Sequence, residues 1–195
     1  MKEQLRAEIL AKRRKLDKEW IRLQSHQMAE QLYRWPFYQR AAVIMLFLSM
    51  DDEPQMVHII KQTWQQGKTV CVPHMRQQFG LMDAAKIDSM DDLVRGRFNL
   101  MVPDPTQLNL VDPRSIDIII VPAVAYDYDG NRLGMGAGYY DRFIPRAPQA
   151  ILMGAIWSSQ VVDRLPVGQY DQPVNYLLME DVIIQCGTGK NSSLL

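Results

Sequence analysis

Cysteine is scarce in this chain. Only Cys71 and Cys186 occur in 195 residues. They lie far apart, form no metal-type pair and suit a reducing compartment. Cys71 sits in an apolar run and reads as a small core residue. Histidine is scarce too: His26, His58 and His74 are scattered without ligand spacing, so they read as structural or surface residues. Neither sign of charge prevails, with 22 basic against 22 acidic side chains. That balance removes any global pull towards nucleic acid or a membrane surface. No run approaches the ~20 apolar residues of a membrane span. The first segment, MKEQLRAEILAKRRKL, is charged throughout and lacks the apolar centre of a signal peptide. Internal repeats and domain-separating linkers are also absent. These absences predict a soluble cytoplasmic protein.

What is present is ordinary core material, with 47% hydrophobic and 23% charged residues. That is enough for one domain of usual size. Leu5, Ile9, Leu16, Leu23, Met28 and Leu32 recur at near-helical spacing. They predict helix over residues 2–35, with a break near Leu16 and Asp17 where Asp17 caps a second helix. Pro36 ends the stretch. Residues 41–48, AAVIMLFL, are continuously apolar and too short for a typical buried helix, so they read as a buried strand. Pro54 fits the first turn of a helix running to Gln66, with Gly67 as its stop. Residues 68–73 form the next strand. Strand, helix, strand predicts a parallel sheet with a crossover helix. Further strands are predicted at 79–84, 116–121 and 150–156, short helices at 89–95 and 139–146, and a loop over 99–115. Residues 186–195 read as a disordered tail, which leaves 1–185 as one domain.

The densest chemistry lies in residues 121–143, VPAVAYDYDGNRLGMGAGYYDRF. A strand ends at Pro122, and YDYDGN forms a turn with Gly130 at a position that favours positive φ. Gly134, Gly136 and Gly138 then remove side chains from alternate positions, so the backbone can approach a ligand and aim amides at it. Arg132 adds a fork of donors suited to phosphate. A helix opening at Tyr139 would turn its first amides towards an anion. Asp141, in its first turn, would either favour the helix dipole or hold Mg²⁺ against phosphate oxygens. The glycines alone are equally compatible with a tight turn, and the tyrosines with core packing. The loop is not a Walker A, because no Gly-Lys-Ser/Thr follows, and its G-x-G-x-G spacing is not the dinucleotide fingerprint.

RLGMGAGYYD resembles the signature of the 5-formyltetrahydrofolate cyclo-ligase family, R-L-G-x-G-x-G-Y-Y-D, with Met135 and Ala137 at the variable positions. KEQLR at residues 2–6 is similar to the family's K-x-x-L-R start. LSMDDE at 48–53 is similar to its strand-end segment, and Asp171, after Leu165 and Pro166, to its late Asp. Two departures stand out: Asp104 before Pro105 where the family has Glu-Pro, and Tyr170 before the late Asp. The resemblance spans most of residues 2–180. It implies a three-layer α/β sandwich around a mainly parallel, Rossmann-like sheet in a single domain. It also implies ATP- and Mg²⁺-dependent closure of 5-formyltetrahydrofolate to 5,10-methenyltetrahydrofolate.

On that resemblance, ATP would be bound by Lys2, Glu3, Gln4, Leu5, Arg6, Arg132, Leu133, Gly134, Met135, Gly136, Ala137, Gly138, Tyr139 and Tyr140. The folate would meet Leu48, Glu53, Gly136, Ala137, Gly138, Tyr139 and Tyr140, with Glu53 accepting from the pterin in a paired fashion. Arg132 and Asp141 would be catalytic, and Asp141 with Asp171 would hold Mg²⁺. Lys12, Arg13, Arg14 and Lys15 read as a solvated face able to attract a polyglutamate chain. Trp157 reads either as an aromatic wall or as core packing. Expected partners are the folate, with or without polyglutamate, and ATP, on a monomer without nucleic acid or membrane. A folate or nucleotide binder without catalysis, or an RNA-binding derivative, would share the scaffold. The intact set of Arg132, Asp141, Glu53 and Asp171 argues against the first, and the zero net charge against the second.

Overall fold

The computed structural model describes residues 2–96 and 100–187. Three helices open the chain: α1 (Lys2–Arg13), α2 (Lys18–Arg34) and α3 (Pro36–Arg40). The Asp17 carboxylate accepts from the Trp20 N–H at 2.9 Å, so α2 is capped as the sequence predicts. α2 stops at Arg34, with Trp35 extended ahead of Pro36, as expected, and Pro36 in turn opens α3, where its missing N–H would have had no helical partner. β1 (Val43–Met45), α4 (Val57–Gln65) and β2 (Thr69–Met75) form the expected crossover unit, and Gly67 at φ +70° turns the chain out of α4. The chain continues through β3 (Met82–Ile87), β4 (Leu93–Arg95), β5 (Met101–Pro103), β6 (Asn109–Val111) and β7 (Ile118–Pro122). It ends with β8 (Ala125–Asp127), β9 (Arg132–Leu133), α5 (Tyr139–Phe143), β10 (Ile151–Ala155), β11 (Val161–Val162), β12 (Tyr176–Leu178) and β13 (Ile183–Gln185).

The main sheet runs β13-β12-β10-β7-β1-β2-β3-β6. Pairings from β12 through β2 are parallel, and β13, β3 and β6 add antiparallel edges. Side chains on the parallel strands alternate between two cores, as the pleat requires. Ile44, Val70, Ile118 and Ile120 face α2, α3 and α4, with Met28, Leu32, Tyr38, Ile59 and Ile60 against them. Met45, Cys71, Ile119 and Val121 face α5 through Phe143 and Ile144. Two-sided burial explains why these strands read as apolar runs rather than alternating ones. A smaller sheet, β11-β8-β9, packs against α1 through Ile9, Val124, Ala125 and Leu133. Among the described residues no helix is long and apolar enough to cross a membrane.

Several expectations need correction. The strand predicted over 41–48 pairs only from Val43 to Met45, with Leu46 N–H still reaching Cys71 O at 2.9 Å. Beyond that the chain leaves the sheet. The α4 helix starts later than Pro54 suggests, because residues 46–56 form a side-chain-pinned loop. The predicted helix at 89–95 is a single 3₁₀ turn, Met90–Asp92, followed by β4. The predicted loop over 99–115 contains β5 and β6, short strands that find partners elsewhere; Asn99 lies outside the described residues. Cys186 and Gly187, the first two residues of the expected tail, are tied to the fold. Cys186 N–H donates to Asn175 O at 2.9 Å and Gly187 N–H to Tyr128 O at 3.0 Å. Residues 188–195 lie outside the described residues.

Gly130 joins these outer parts. It adopts φ +84°, and a Cβ there would fall 2.3 Å from the Val174 carbonyl oxygen. Both the conformation and the backbone contact exclude a side chain. Gly130→Ala should therefore lower unfolding stability by about 2 kcal/mol or more, measured by urea denaturation.

Candidate functional site

The site follows from the strand order. β1 lies between β2 and β7, so the chain departs from it to one side and returns on the other. In open parallel sheets the crevice beyond the carboxyl ends at such a switch point receives ligands. A cavity of roughly 650 Å³ opens there. Phe47, Leu48, Met50 and Glu53 line it after β1, Pro122 to Val124 after β7, and Pro73 and Met75 at the end of β2.

The loop after β1 is built rigidly. Ser49 Oγ donates to Pro54 O at 2.7 Å and accepts from Met56 N–H at 3.0 Å. Gln55 Nε2 donates to the carbonyls of Met50 and Glu53 at 2.8 and 2.7 Å. Trp157 is fully buried, lies outside the cavity wall, and donates from its indole to Asp52 O at 2.9 Å. It is therefore core packing that anchors the loop.

Glu53 is 7% exposed and shares a buried ion pair with Arg13, which is 4% exposed, at 3.2 Å. Arg13 also pairs with Asp52 at 3.0 Å, and Glu53 Oε2 accepts from the Met50 N–H at 3.0 Å. Arg13 is thus not part of a solvated face; only Lys12, Arg14 and Lys15 are exposed. The helical period explains this, because Arg13 falls on the α1 face that carries Lys2, Arg6 and Ile9. Burial pushes the Glu53 carboxyl up from its ordinary value, and the Arg13 guanidinium opposes that shift.

On α1, Lys2 and Arg6 both line the cavity. Lys2 Nζ meets Asp171 Oδ2 at 3.1 Å, and Arg6 Nε donates to Gly134 O at 2.9 Å. Glu3 and Gln4 point elsewhere: both are exposed outside the cavity, with Gln4 donating to Glu8 at 3.1 Å. Leu5 packs on the small sheet instead. These three depart from the expected ATP contacts because a helix presents only every third or fourth residue to one side.

All of the expected residues from Arg132 to Asp141, and Asp171, line the same cavity. Gly136 and Gly138 adopt φ +103° and +68°, whereas Gly134 does not need positive φ. The α5 helix has five residues, so its dipole is short, and the anion-directed charge comes mainly from side chains. The Arg132 side chain is 6% exposed, and its Nη2 donates to Asp141 Oδ1 at 2.5 Å. Its guanidinium lies 5.7 Å from the Tyr140 ring centre. Arg132 Nη1 and Tyr140 Oη are buried and have no hydrogen-bond partner. Unpaired buried donors are costly unless a further acceptor reaches them. Burial also pushes the Tyr140 phenol far up, so it remains a neutral O–H.

Asp141 Oδ1 also accepts weakly from the Gln172 N–H at 3.3 Å. Asp171 accepts from the Gly168 N–H at 2.8 Å. Burial alone would raise the Asp171 carboxyl, but the Gly168 N–H and the Lys2 ammonium together hold it below the usual range. Among the described residues no three His, Cys, Asp or Glu converge as a metal set. A divalent ion between Asp141 and Asp171 would need phosphate oxygens and water to complete its shell, which is the usual habit of Mg²⁺.

Other candidates lie outside. Asp104 closes its own turn by accepting from Thr106 N–H and Oγ1 at 2.8 and 2.7 Å. Tyr170 is 74% exposed. His26 and His58 stack with ring centres 4.1 Å apart, away from the cavity. Both thiols are raised to about 12 by burial, so neither is a nucleophile at neutral pH. Sequence reasoning missed Arg13 and the apolar wall of Met75, Met101 and Val102. The α1 periodicity could have found the first; no local signal marks the wall. Arg13→Ala should destabilise the protein by about 3 kcal/mol, because it strands a buried carboxylate, a loss readable by urea denaturation.

Comparisons with known proteins agree with this geometry. The model of the 5-formyltetrahydrofolate cyclo-ligase family matches residues 1–180. The 5-formyltetrahydrofolate cyclo-ligase of Mus musculus is 30% identical over 187 residues, covering 91% of this chain and 92% of that protein. The Escherichia coli (strain K12) protein of the same name is 30% identical over 169 residues, covering 85% and 93%. The solved structure of Aquifex aeolicus 5,10-methenyltetrahydrofolate synthetase superposes with a TM-score of 0.83 at 29% identity, covering 98% of this chain and 95% of that one.

Proposed function

Because this chain belongs to the 5-formyltetrahydrofolate cyclo-ligase family, we propose that it converts 5-formyltetrahydrofolate and ATP into 5,10-methenyltetrahydrofolate, ADP and phosphate, with Mg²⁺. In this reading the γ-phosphoryl group passes to the formyl oxygen, which makes that oxygen a good leaving group. N10 then attacks the formyl carbon, phosphate departs, and N10 gives up its proton as the ring closes.

The observation that carries the reading is the state of Arg132. It is buried, oriented by Asp141, and lines the cavity, with its Nη1 lacking a protein acceptor in hydrogen-bond geometry. An anionic phosphate oxygen is the acceptor its fork would match. Arg132 and the loop backbone at 134–140 would hold the phosphates, with Lys2 and Arg6 adding charge from α1. Mg²⁺, held by Asp141 and Asp171 with phosphate oxygens, would neutralise charge during the transfer. Glu53 and Leu48 would contact the pterin, and the Tyr139 and Tyr140 rings would wall the folate slot. Because the substrate supplies both nucleophiles, the formyl oxygen and N10, no protein nucleophile is needed, and positioning and charge neutralisation would supply catalysis. The same reading makes the protein a cytoplasmic monomer acting on folates with or without a polyglutamate chain.

Incubation with 5-formyltetrahydrofolate, ATP and Mg²⁺ should raise the near-ultraviolet absorbance of the methenyl product; no rise at high enzyme concentration would sink the proposal. A metal chelator should stop the rise, and excess Mg²⁺ should restore it. Asp141→Asn should lower turnover about a hundredfold or more while the thermal midpoint shows a folded protein. Turnover at the wild-type rate would refute its place at the metal.

A further inference from the structure

Arg142 follows the glycine loop but has no role in the reading above. Its side chain leaves the cavity and enters the turn between β2 and β3, residues 76–81. There Nη1 donates to two carbonyls at once, Ala137 O at 2.7 Å and Gly80 O at 3.3 Å. The first belongs to the glycine loop and the second to the hairpin tip. Both flanking glycines make room for the guanidinium. A Cβ on Gly80 would lie 2.5 Å from Nη1, and one on Gly138 3.0 Å from it. Both glycines also have positive φ, +82° and +68°. Beside this contact the Phe79 ring meets the Tyr139 ring edge-on, with centres 5.9 Å apart.

The base of the same hairpin is tied separately. Arg146 donates to Met82 O at 2.8 Å and to Asp83 Oδ1 at 2.9 Å, and Arg76 grips Asp83 through two bonds of 2.6 and 2.7 Å. The hairpin is therefore held to the segment after the glycine loop at two heights. Only the upper tie reaches the loop itself. The hairpin also carries Met75, which lines the cavity.

We propose that Arg142 is a positioning residue that latches the β2–β3 hairpin to the glycine loop, so that the phosphate-facing and folate-facing walls of the cavity move as one body. This rests on the proposed function and adds to it that the hairpin's apolar wall at Met75 faces the folate. Its consequence is a coupling between sites: a nucleotide that orders the loop also orders the hairpin, and the folate then binds a wall already in place.

Amide hydrogen exchange on the free, full-length protein tests the latch without any ligand. Arg142→Ala should speed exchange about fivefold or more in both 76–81 and 134–140, as expected when a net contact of ordinary hydrogen-bond strength is lost. Arg142→Lys should restore part of the protection, because an ammonium can reach one of the two carbonyls. Arg146→Ala is the contrast: it should lower the thermal midpoint and loosen 82–84 while leaving 134–140 unchanged. Unchanged exchange in 134–140 for Arg142→Ala would overturn the latch. Calorimetry then measures the coupling, as the ratio of folate affinities with and without a non-hydrolysable ATP analogue. Wild type should show a ratio above one, and Arg142→Ala a ratio near one; an equal ratio in both would overturn the coupling. Absence of turnover in wild type would instead refute the proposed function and leave exchange to decide the latch. If Arg142→Ala does not fold, Gly80→Ala displaces the same guanidinium from the opposite side and gives the same readouts.

Discussion

The parallel pairing of β1 with β7 is the constraint on which the rest depends. Asp117 fixes its start: one carboxylate oxygen accepts from the N–H groups of Ala42 and Val43 at 2.7 and 2.9 Å. With the two strands held side by side, their carboxyl ends must diverge, since one chain turns towards β2 and the other towards β10. That divergence opens the crevice. The loop after β1 brings Leu48 and Glu53, and the chain after β7 brings the small sheet with Arg132 and the glycine loop. Because α1 packs on that same small sheet, Lys2 and Arg6 arrive at the rim from a distant part of the sequence.

Two buried arginines then set the electrostatics. Arg13 pairs with both Asp52 and Glu53 at one end of the cavity, and Arg132 pairs with Asp141 at the other. Each pair would be costly to break, since Arg13, Glu53 or Arg132 left alone would be a buried charge. Each arginine keeps one buried nitrogen without a partner, Nε of Arg13 and Nη1 of Arg132. They differ in position, because Arg132 lines the cavity and Arg13 does not. That difference suits a site whose anionic ligand enters on the Arg132 side.

The parts of this arrangement legible in the sequence are those with local causes. Asp17 is followed three residues on by the N–H it caps, Gly67 and Gly130 sit where only positive φ serves, and Arg132 to Asp141 form one continuous loop. The glycine loop, Leu48, Glu53 and Asp171 therefore came together as expected. What escaped has non-local causes. Arg13 meets Glu53 across 40 residues, so its run of basic neighbours looked like a solvated face. The short strands β5, β6, β8 and β9 take their regularity from partners rather than from their own composition. Trp157 was undecided for the same reason, because only the fold reveals that its indole holds the Asp52 carbonyl.

The central claim is that one cavity brings the γ-phosphoryl group to the formyl oxygen, with Arg132 and its loop holding the phosphates. Placing an ¹⁸O label on the formyl oxygen and following it through a single turnover tests this most directly. The account predicts the label in the released phosphate. Label found in water, with unlabelled phosphate, would mean that the formyl oxygen never received the phosphoryl group, and would contradict it.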